Sequence, residues 1–145
     1  MLNRKSTAVW RGNGMEGTGT LDSQSGALTG QPYSFKTRFV SEDGKAGTNP
    51  EELIAAAHAG CYAMALSFGL TGAGHPPEQL TVTATVGLDK DGAGFAIKSI
   101  TLALEAKVPG IDAATLQAAA EEAKKGCPVS RALAAVPITL DAKLV

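Results

Sequence analysis

Between Leu53 and Gly69 the chain carries no formal charge, and this alanine-rich run directly follows "TNPEE", a strong helix start. A helix with so little polar surface has to be covered, by lipid or by protein. The run contains His58, Cys61, Tyr62, Ser67 and two glycines, and no basic cluster flanks it. That is weakly apolar for a membrane span, which needs about 20 strongly apolar residues and basic flanks. The expectation is a long, buried, close-packed central helix from about Asn49 to Leu70, with no membrane partner.

Short segments surround this helix. "STAVWRG", "MEGTGTLDS" and "YSFKTRFV" are rich in β-branched and aromatic residues and are separated by turn residues, so three strands are expected. In "QPYSFKTRFV", Tyr33, Phe35, Thr37 and Phe39 alternate with Ser34, Lys36 and Arg38, which puts Arg38 on the polar face of the third strand. Downstream, "LTVTATVGLDK" and "FAIKSITLALEAKV" alternate around the hairpin turn "DGAG". "IDAATLQAAAEEAKK" reads as a helix capped by Asp112 and ended by Gly126. "CPVSRALAAV" is a short helix with Pro128 at its first position, and "PITLDAKLV" is a closing strand. The order βββ-α-ββ-α-α-β is an α+β plan in one domain over residues 1–145.

Thirteen basic and fourteen acidic side chains give a net charge of −1, so nothing favours a nucleic-acid partner. The N-terminal "MLNRKSTAVW" has no apolar stretch behind its basic residues, and the expected compartment is the cytoplasm. Two cysteines in a reducing compartment are redox-active, metal-binding or inert more often than a structural staple.

Cys61 sits about twelve residues into its helix, beyond the reach of the N-terminal dipole field, and apolar surroundings raise a thiol pKa. Left alone it is an inert core residue. A reactive Cys61 requires a cation from elsewhere, and Arg38 is the candidate because guanidinium stays charged when partly buried. Cys127 precedes Pro128 at a helix start, which favours its thiolate and suits a second, resolving thiol. Two capping frames are open. With Asn49 as cap, Glu52 takes the capping-box position and leaves Glu51 without a capping duty; with Thr48 as cap, Glu51 takes it. His58 lies three residues before Cys61 on the same face and reads as a satisfied buried histidine. With His75 the cysteines match no standard zinc spacing, so no metal is expected.

Taken together, "QPYSFKTRF", "TNPEELIAAAHAGCYAMALS", "VPGID" and "GCPVS" resemble the OsmC/Ohr peroxidases, the osmotically inducible and organic hydroperoxide resistance proteins. The likeness runs in order along nearly the whole chain, and "AAAH" before the cysteine is similar to the OsmC branch. Gly60 stands where alanine is usual, at a cost of about 1 kcal/mol in helix propensity. The resemblance implies an intertwined α+β homodimer with antiparallel sheets and two sites at the subunit interface. It implies thiol-dependent reduction of organic hydroperoxides. Cys61 matches the peroxidatic cysteine, Cys127 the resolving one, Arg38 the thiolate-activating arginine and Glu51 the carboxylate that orients it. A dithiol reductant, lipoyl or similar, restores the thiols, and no cofactor is needed. Phe35, Phe39, Met64 and Phe68 are candidates to line an apolar substrate pocket, although the same residues suit any core. Two other readings stand beside this one: a non-enzymatic binding domain with buried thiols, and a protein disulfide oxidoreductase, a class that typically carries the C-x-x-C spacing this chain lacks.

Overall fold

The computed structural model describes all 145 residues, Met1–Val145. The chain divides into two compact units, Met1–Leu53 and Ile54–Val145, with the boundary inside the first turns of a long helix, α1 (Pro50–Gly72). The first unit begins with an antiparallel meander of β1 (Ser6–Arg11), β2 (Thr18–Ser23) and β3 (Gln31–Ser34), in that order. Trp10, Gly19 and Tyr33 lie opposite one another across the three strands. The absent side chain at Gly19 lets the two rings meet over it, with centroids 5.4 Å apart. A Cβ there would strike the Tyr33 ring and come within 2.7 Å of the Trp10 ring.

The third strand is shorter than its alternation predicts. Pairing stops at Ser34, and Lys36–Val40 form a single π-helical turn, so Arg38 is not on a strand face. The turn starts from reciprocal bonds: the Thr37 N–H donates to Ser34 Oγ at 3.3 Å, and the Ser34 N–H donates to Thr37 Oγ1 at 2.9 Å. Such side-chain bonds draw the backbone out of a ladder. The wide turn closes with the Ser41 N–H on the Lys36 carbonyl at 3.0 Å. Phe35 and Phe39 fit a two-residue period, but they are also four apart, and on this turn their centroids lie 4.9 Å from each other. The period was ambiguous over so short a run.

The second unit carries β4 (Gln79–Asp91), β5 (Gly94–Lys107) and β6 (Ile138–Leu144), in the order β4-β5-β6. β4 and β5 form a long hairpin whose two-residue turn places Gly92 at φ 60°. At Gly87/Leu88 the register shifts, so Lys98 is the extra residue and Ile97 and Ile100 oppose Leu88 and Val86 on one face. β6 pairs with β5 in parallel, so this sheet is mixed and not wholly antiparallel. The reason is the connection: β5 leads through α2 (Ala113–Gly126) and α3 (Pro128–Ala132), a helical crossover that returns the chain in the same direction. Asp112 caps α2 as predicted, its carboxylate accepting the Thr115 N–H at 2.7 Å.

The core of this unit joins Leu102, Leu104 and Ala106 of β5, Leu116, Ala120 and Ala123 of α2, and Tyr62, Leu66 and Leu70 of α1. Each fully buried leucine contributes about 1.5–3 kcal/mol of transfer free energy. The Tyr62 hydroxyl satisfies its polarity by donating to the Ala120 carbonyl at 3.0 Å. α1 is long and apolar enough to cross a membrane by length and composition. It differs from the expected helix covered all round. One stripe, His58, Tyr62, Leu66 and Leu70, is buried, while Met64 and Phe68 remain 63% and 74% exposed. Residues four apart share a face, and one sheet with one helix reaches only that face.

The aromatic pair over Gly19 yields a stability test. Gly19→Ala should lower stability by about 1–3 kcal/mol, the usual cost of forcing extra volume into a filled site. Thermal or urea unfolding of the purified variant reads this directly, and an unchanged midpoint would show that the rings separate freely.

Candidate active site

In the first unit the start of α1 sorts the two glutamates. Asn49 is the cap, its Oδ1 accepting the Glu52 N–H at 2.8 Å. The Glu52 carboxylate accepts the Thr48 hydroxyl at 2.7 Å and stays with the cap turn. Glu51 is thereby left for Arg38. The guanidinium Nε–H reaches both Glu51 oxygens, at 3.2 and 3.3 Å, and Nη2 donates to Oε1 at 2.8 Å. Glu51 is buried and Arg38 is partly exposed. This fork uses one edge of the guanidinium and leaves N–H donors on the other side. Arg38 also lies over the Phe39 ring, 4.9 Å from its centroid. A cavity of about 260 Å³ adjoins it, walled by Trp10, Tyr33, Phe35 and Phe39. Apolar walls with one cationic corner suit a ligand with a hydrocarbon body and a polar oxygen end.

In the second unit the cysteines, 66 residues apart in sequence, are both free, and their sulfurs stand 3.0 Å apart. Cys61 is part-exposed in the middle of α1, whereas Cys127 is fully buried between α2 and α3. The Cys127 N–H closes α2 by donating to the Ala123 carbonyl at 2.9 Å. Its sulfur caps α3 by accepting the Ser130 N–H at 3.5 Å.

The two thiols are driven in opposite directions. Burial pushes Cys61 up, and the hydrogen bond with Cys127 adds to this; the backbone at Val129 opposes it. Burial acts against ionisation of Cys127 as well. Hydrogen bonds from Cys61, from the Ser130 backbone and hydroxyl and from the Val129 backbone outweigh burial and hold its pKa down. Within this chain the surroundings therefore favour the thiolate form more at Cys127 than at Cys61.

The sequence-predicted residues thus fall into two clusters. Arg38, Glu51, Phe35 and Phe39 meet in the first unit. Cys61 and Cys127 meet in the second. Met64 and Phe68 lie on the exposed face of α1 and wall no part of the aromatic cavity. Sequence reasoning missed Trp10 and Tyr33, which join Phe35 only through strand pairing. It also missed Ser130, whose signal was its place three residues after the capping Cys127. His58 is buried as expected but only half satisfied. Its Nε2 meets Ser130 Oγ at 2.7 Å, while Nδ1 has no partner. Burial lowers its pKa, so the ring stays neutral near pH 7.

Comparison with known proteins shows the family to which the chain belongs. Residues 42–141 match the family model described as OsmC-like protein. The chain is 52% identical over 143 residues to peroxiredoxin OsmC of Escherichia coli (strain K12), covering 99% of this chain and 97% of that protein. It is 34% identical over 96 residues to the organic hydroperoxide resistance protein of Xanthomonas axonopodis pv. citri, covering 66% of each. Among solved structures it is similar to the organic hydroperoxide resistance protein OhrB of Bacillus subtilis. That match has a TM-score of 0.74 at 27% identity, over 96% of this chain and 98% of that one. With the motif block around Cys61, the two-thiol contact and a family match over most of its length, this chain belongs to the OsmC-like protein family.

Proposed function

We propose that this protein is a cysteine-dependent peroxidase that reduces organic hydroperoxides to alcohols. The observation that carries the reading is the pair of free thiols 3.0 Å apart, one part-exposed and one buried. Cys61 is the thiol a hydroperoxide meets first, because Cys127 has no exposed surface. The Cys61 thiolate attacks the terminal peroxide oxygen, the O–O bond breaks, and RO⁻ takes a proton to leave as alcohol. The product is a sulfenic acid on Cys61. Cys127 then attacks that sulfur, water leaves, and a Cys61–Cys127 disulfide forms. The sulfurs need to close by only about 1 Å to reach bonding distance. A small dithiol, lipoyl or similar, restores both thiols by exchange. The chemistry requires only sulfur, and it suits a reducing compartment such as the cytoplasm.

The cation that Cys61 lacks is Arg38, and it comes from a second chain. α1 runs without a break from Pro50 to Gly72, so Glu51 and Cys61 sit ten positions apart on one helix, about 15 Å along its axis. An arginine forked onto Glu51 does not span that distance to the Cys61 of its own helix. In a symmetric dimer, the Arg38–Glu51 pair of one subunit meets the Cys61 of the other, twice over. The exposed Met64 and Phe68 face of α1 supports this, because a face so apolar favours coverage. The aromatic cavity beside Arg38 then supplies the apolar half of each site. On this reading bulky alkyl hydroperoxides surpass hydrogen peroxide in kcat/KM.

Cysteine variants test the cycle. Cys61→Ser should abolish turnover of cumene hydroperoxide with a small dithiol. Cys127→Ser should keep the first reaction but lose efficient recycling, with Cys61 advancing to sulfinic and sulfonic acid by mass spectrometry. Wild-type turnover by Cys127→Ser would remove the resolving role.

Subunit mixing tests the composite site. Cys61→Ser chains and Arg38→Ala chains, each inactive alone, are unfolded and refolded together. The mixed dimer should regain one of two sites, about half the activity per dimer. Mixed dimers that form and stay inactive would place each site within one chain.

A further inference from the structure

Two side-chain pairs join α1 to α3, and the mechanism above uses one of them. Cys61 meets Cys127 at 3.0 Å, and one helical turn away on each element His58 Nε2 lies 2.7 Å from Ser130 Oγ. His58 precedes Cys61 by three residues on α1, and Ser130 follows Cys127 by three at the head of α3. Residues three apart share a helix face, so the four side chains form a ladder of two rungs between the helices. One rung is the thiol pair. The other is a buried hydrogen bond.

Packing alone gives no reason for a histidine in the second rung. The buried stripe of α1 continues as Tyr62, Leu66 and Leu70, and an aliphatic side chain at position 58 would bury without polar cost. His58 is instead fully buried with Nδ1 as the one buried side-chain nitrogen or oxygen that has no partner. With its N–H on Nε2 the ring leaves Nδ1 a bare acceptor, avoids a buried orphan donor and donates to Ser130 Oγ. What the ring gains at this position is therefore the bond to Ser130, which is buried as well. Such a bond tightens away from water. It also acts where α3 needs an anchor. That helix has only five residues, too few to hold its conformation unaided. The Cys127 N–H ties its start to α2 through the Ala123 carbonyl at 2.9 Å, and the His58–Ser130 bond ties the same turn to α1. Within that turn the Ser130 N–H meets the Cys127 sulfur at 3.5 Å, so fixing Ser130 fixes the sulfur.

We propose that His58 and Ser130 are positioning residues for disulfide closure: their buried bond clamps α3 to α1 and keeps the Cys127 sulfur within closing distance of Cys61. The consequence for turnover rests on the peroxidase reading, whereas the thiol–disulfide equilibrium does not. The step is balanced. The S–S bond forms as the S–O bond of the Cys61 sulfenic acid breaks, and the departing hydroxide combines with the Cys127 thiol proton as water. The Cys127 sulfur is oxidised and the Cys61 sulfur reduced, with the hydroperoxide as the source of the oxidation. Without the clamp the Cys127 turn samples positions farther from Cys61. Both the disulfide equilibrium and the closure rate then fall, because each depends on the local concentration of one thiol at the other.

The first test needs no peroxide. The full chain is equilibrated in glutathione buffers of graded ratio near neutral pH, quenched in acid, and its dithiol and disulfide forms are counted by mass spectrometry. Ser130→Ala and His58→Leu should each disfavour the disulfide about tenfold, about 30 mV in potential. The double variant should also lose about tenfold, because one bond is lost in all three. His58→Gln, which keeps an N–H at a similar reach, should lie nearer the parent than His58→Asn, which is too short. If His58→Leu does not fold, Ser130→Ala and the Gln and Asn pair still decide. Parental potentials in Ser130→Ala, with a lowered thermal midpoint or without one, overturn the proposal and leave the bond a purely structural one. A hundredfold loss in the double variant overturns the claim that the two residues act as one clamp. The second arm uses excess cumene hydroperoxide. Ser130→Ala should lose the Cys61 thiol at the parental rate, close the disulfide about tenfold more slowly and accumulate sulfinic acid. Unchanged closure overturns the positioning role in turnover. A parent protein whose Cys61 resists the hydroperoxide overturns the peroxidase reading instead, and the glutathione equilibrium then judges the clamp by itself.

Discussion

The burial of one stripe of α1 governs the second unit and sets the geometry of the chemistry. His58, Tyr62, Leu66 and Leu70 recur every four residues and seat the helix in the core it shares with β5 and α2. Cys61 is the direct neighbour of Tyr62, so it falls at the edge of that stripe, part-exposed and against the α2–α3 junction that holds Cys127. The same rigid rod carries Glu51 in its first turn.

Ionisation is apportioned by donors more than by burial. Cys127 is the more buried of the two sulfurs, yet it is the one held below its ordinary range. Burial works against any thiolate, but three sources of hydrogen bonding converge on Cys127 and only the Val129 backbone favours charge on Cys61.

Much of this was legible in the sequence. Helix α1, the cap by Asp112, Pro128 at the head of α3 and the β4–β5 hairpin all follow from local rules of capping, φ restriction and alternation. The freedom of Glu51 was open between two capping frames, and the Asn49 cap in the structure decided it. The turn that carries Arg38 was not legible, because Phe35 and Phe39 satisfy a period of two and a spacing of four equally well. Only the Ser34–Thr37 bonds, which a period does not record, break the tie.

By itself the sequence determined the helices that carry Glu51 and both cysteines, because caps, periods and breakers are properties of near neighbours. It placed one thiol mid-helix and the other at a helix start. The tertiary structure alone decided their 3.0 Å contact across 66 residues, the His58–Ser130 bond across 72, and the aromatic wall built from Trp10, Tyr33 and Phe35. It also decided that β6 runs parallel to β5 and that one face of α1 stays uncovered. Those outcomes depend on how separate elements share one core, and no local rule measures the distance between residues the chain brings together only by packing.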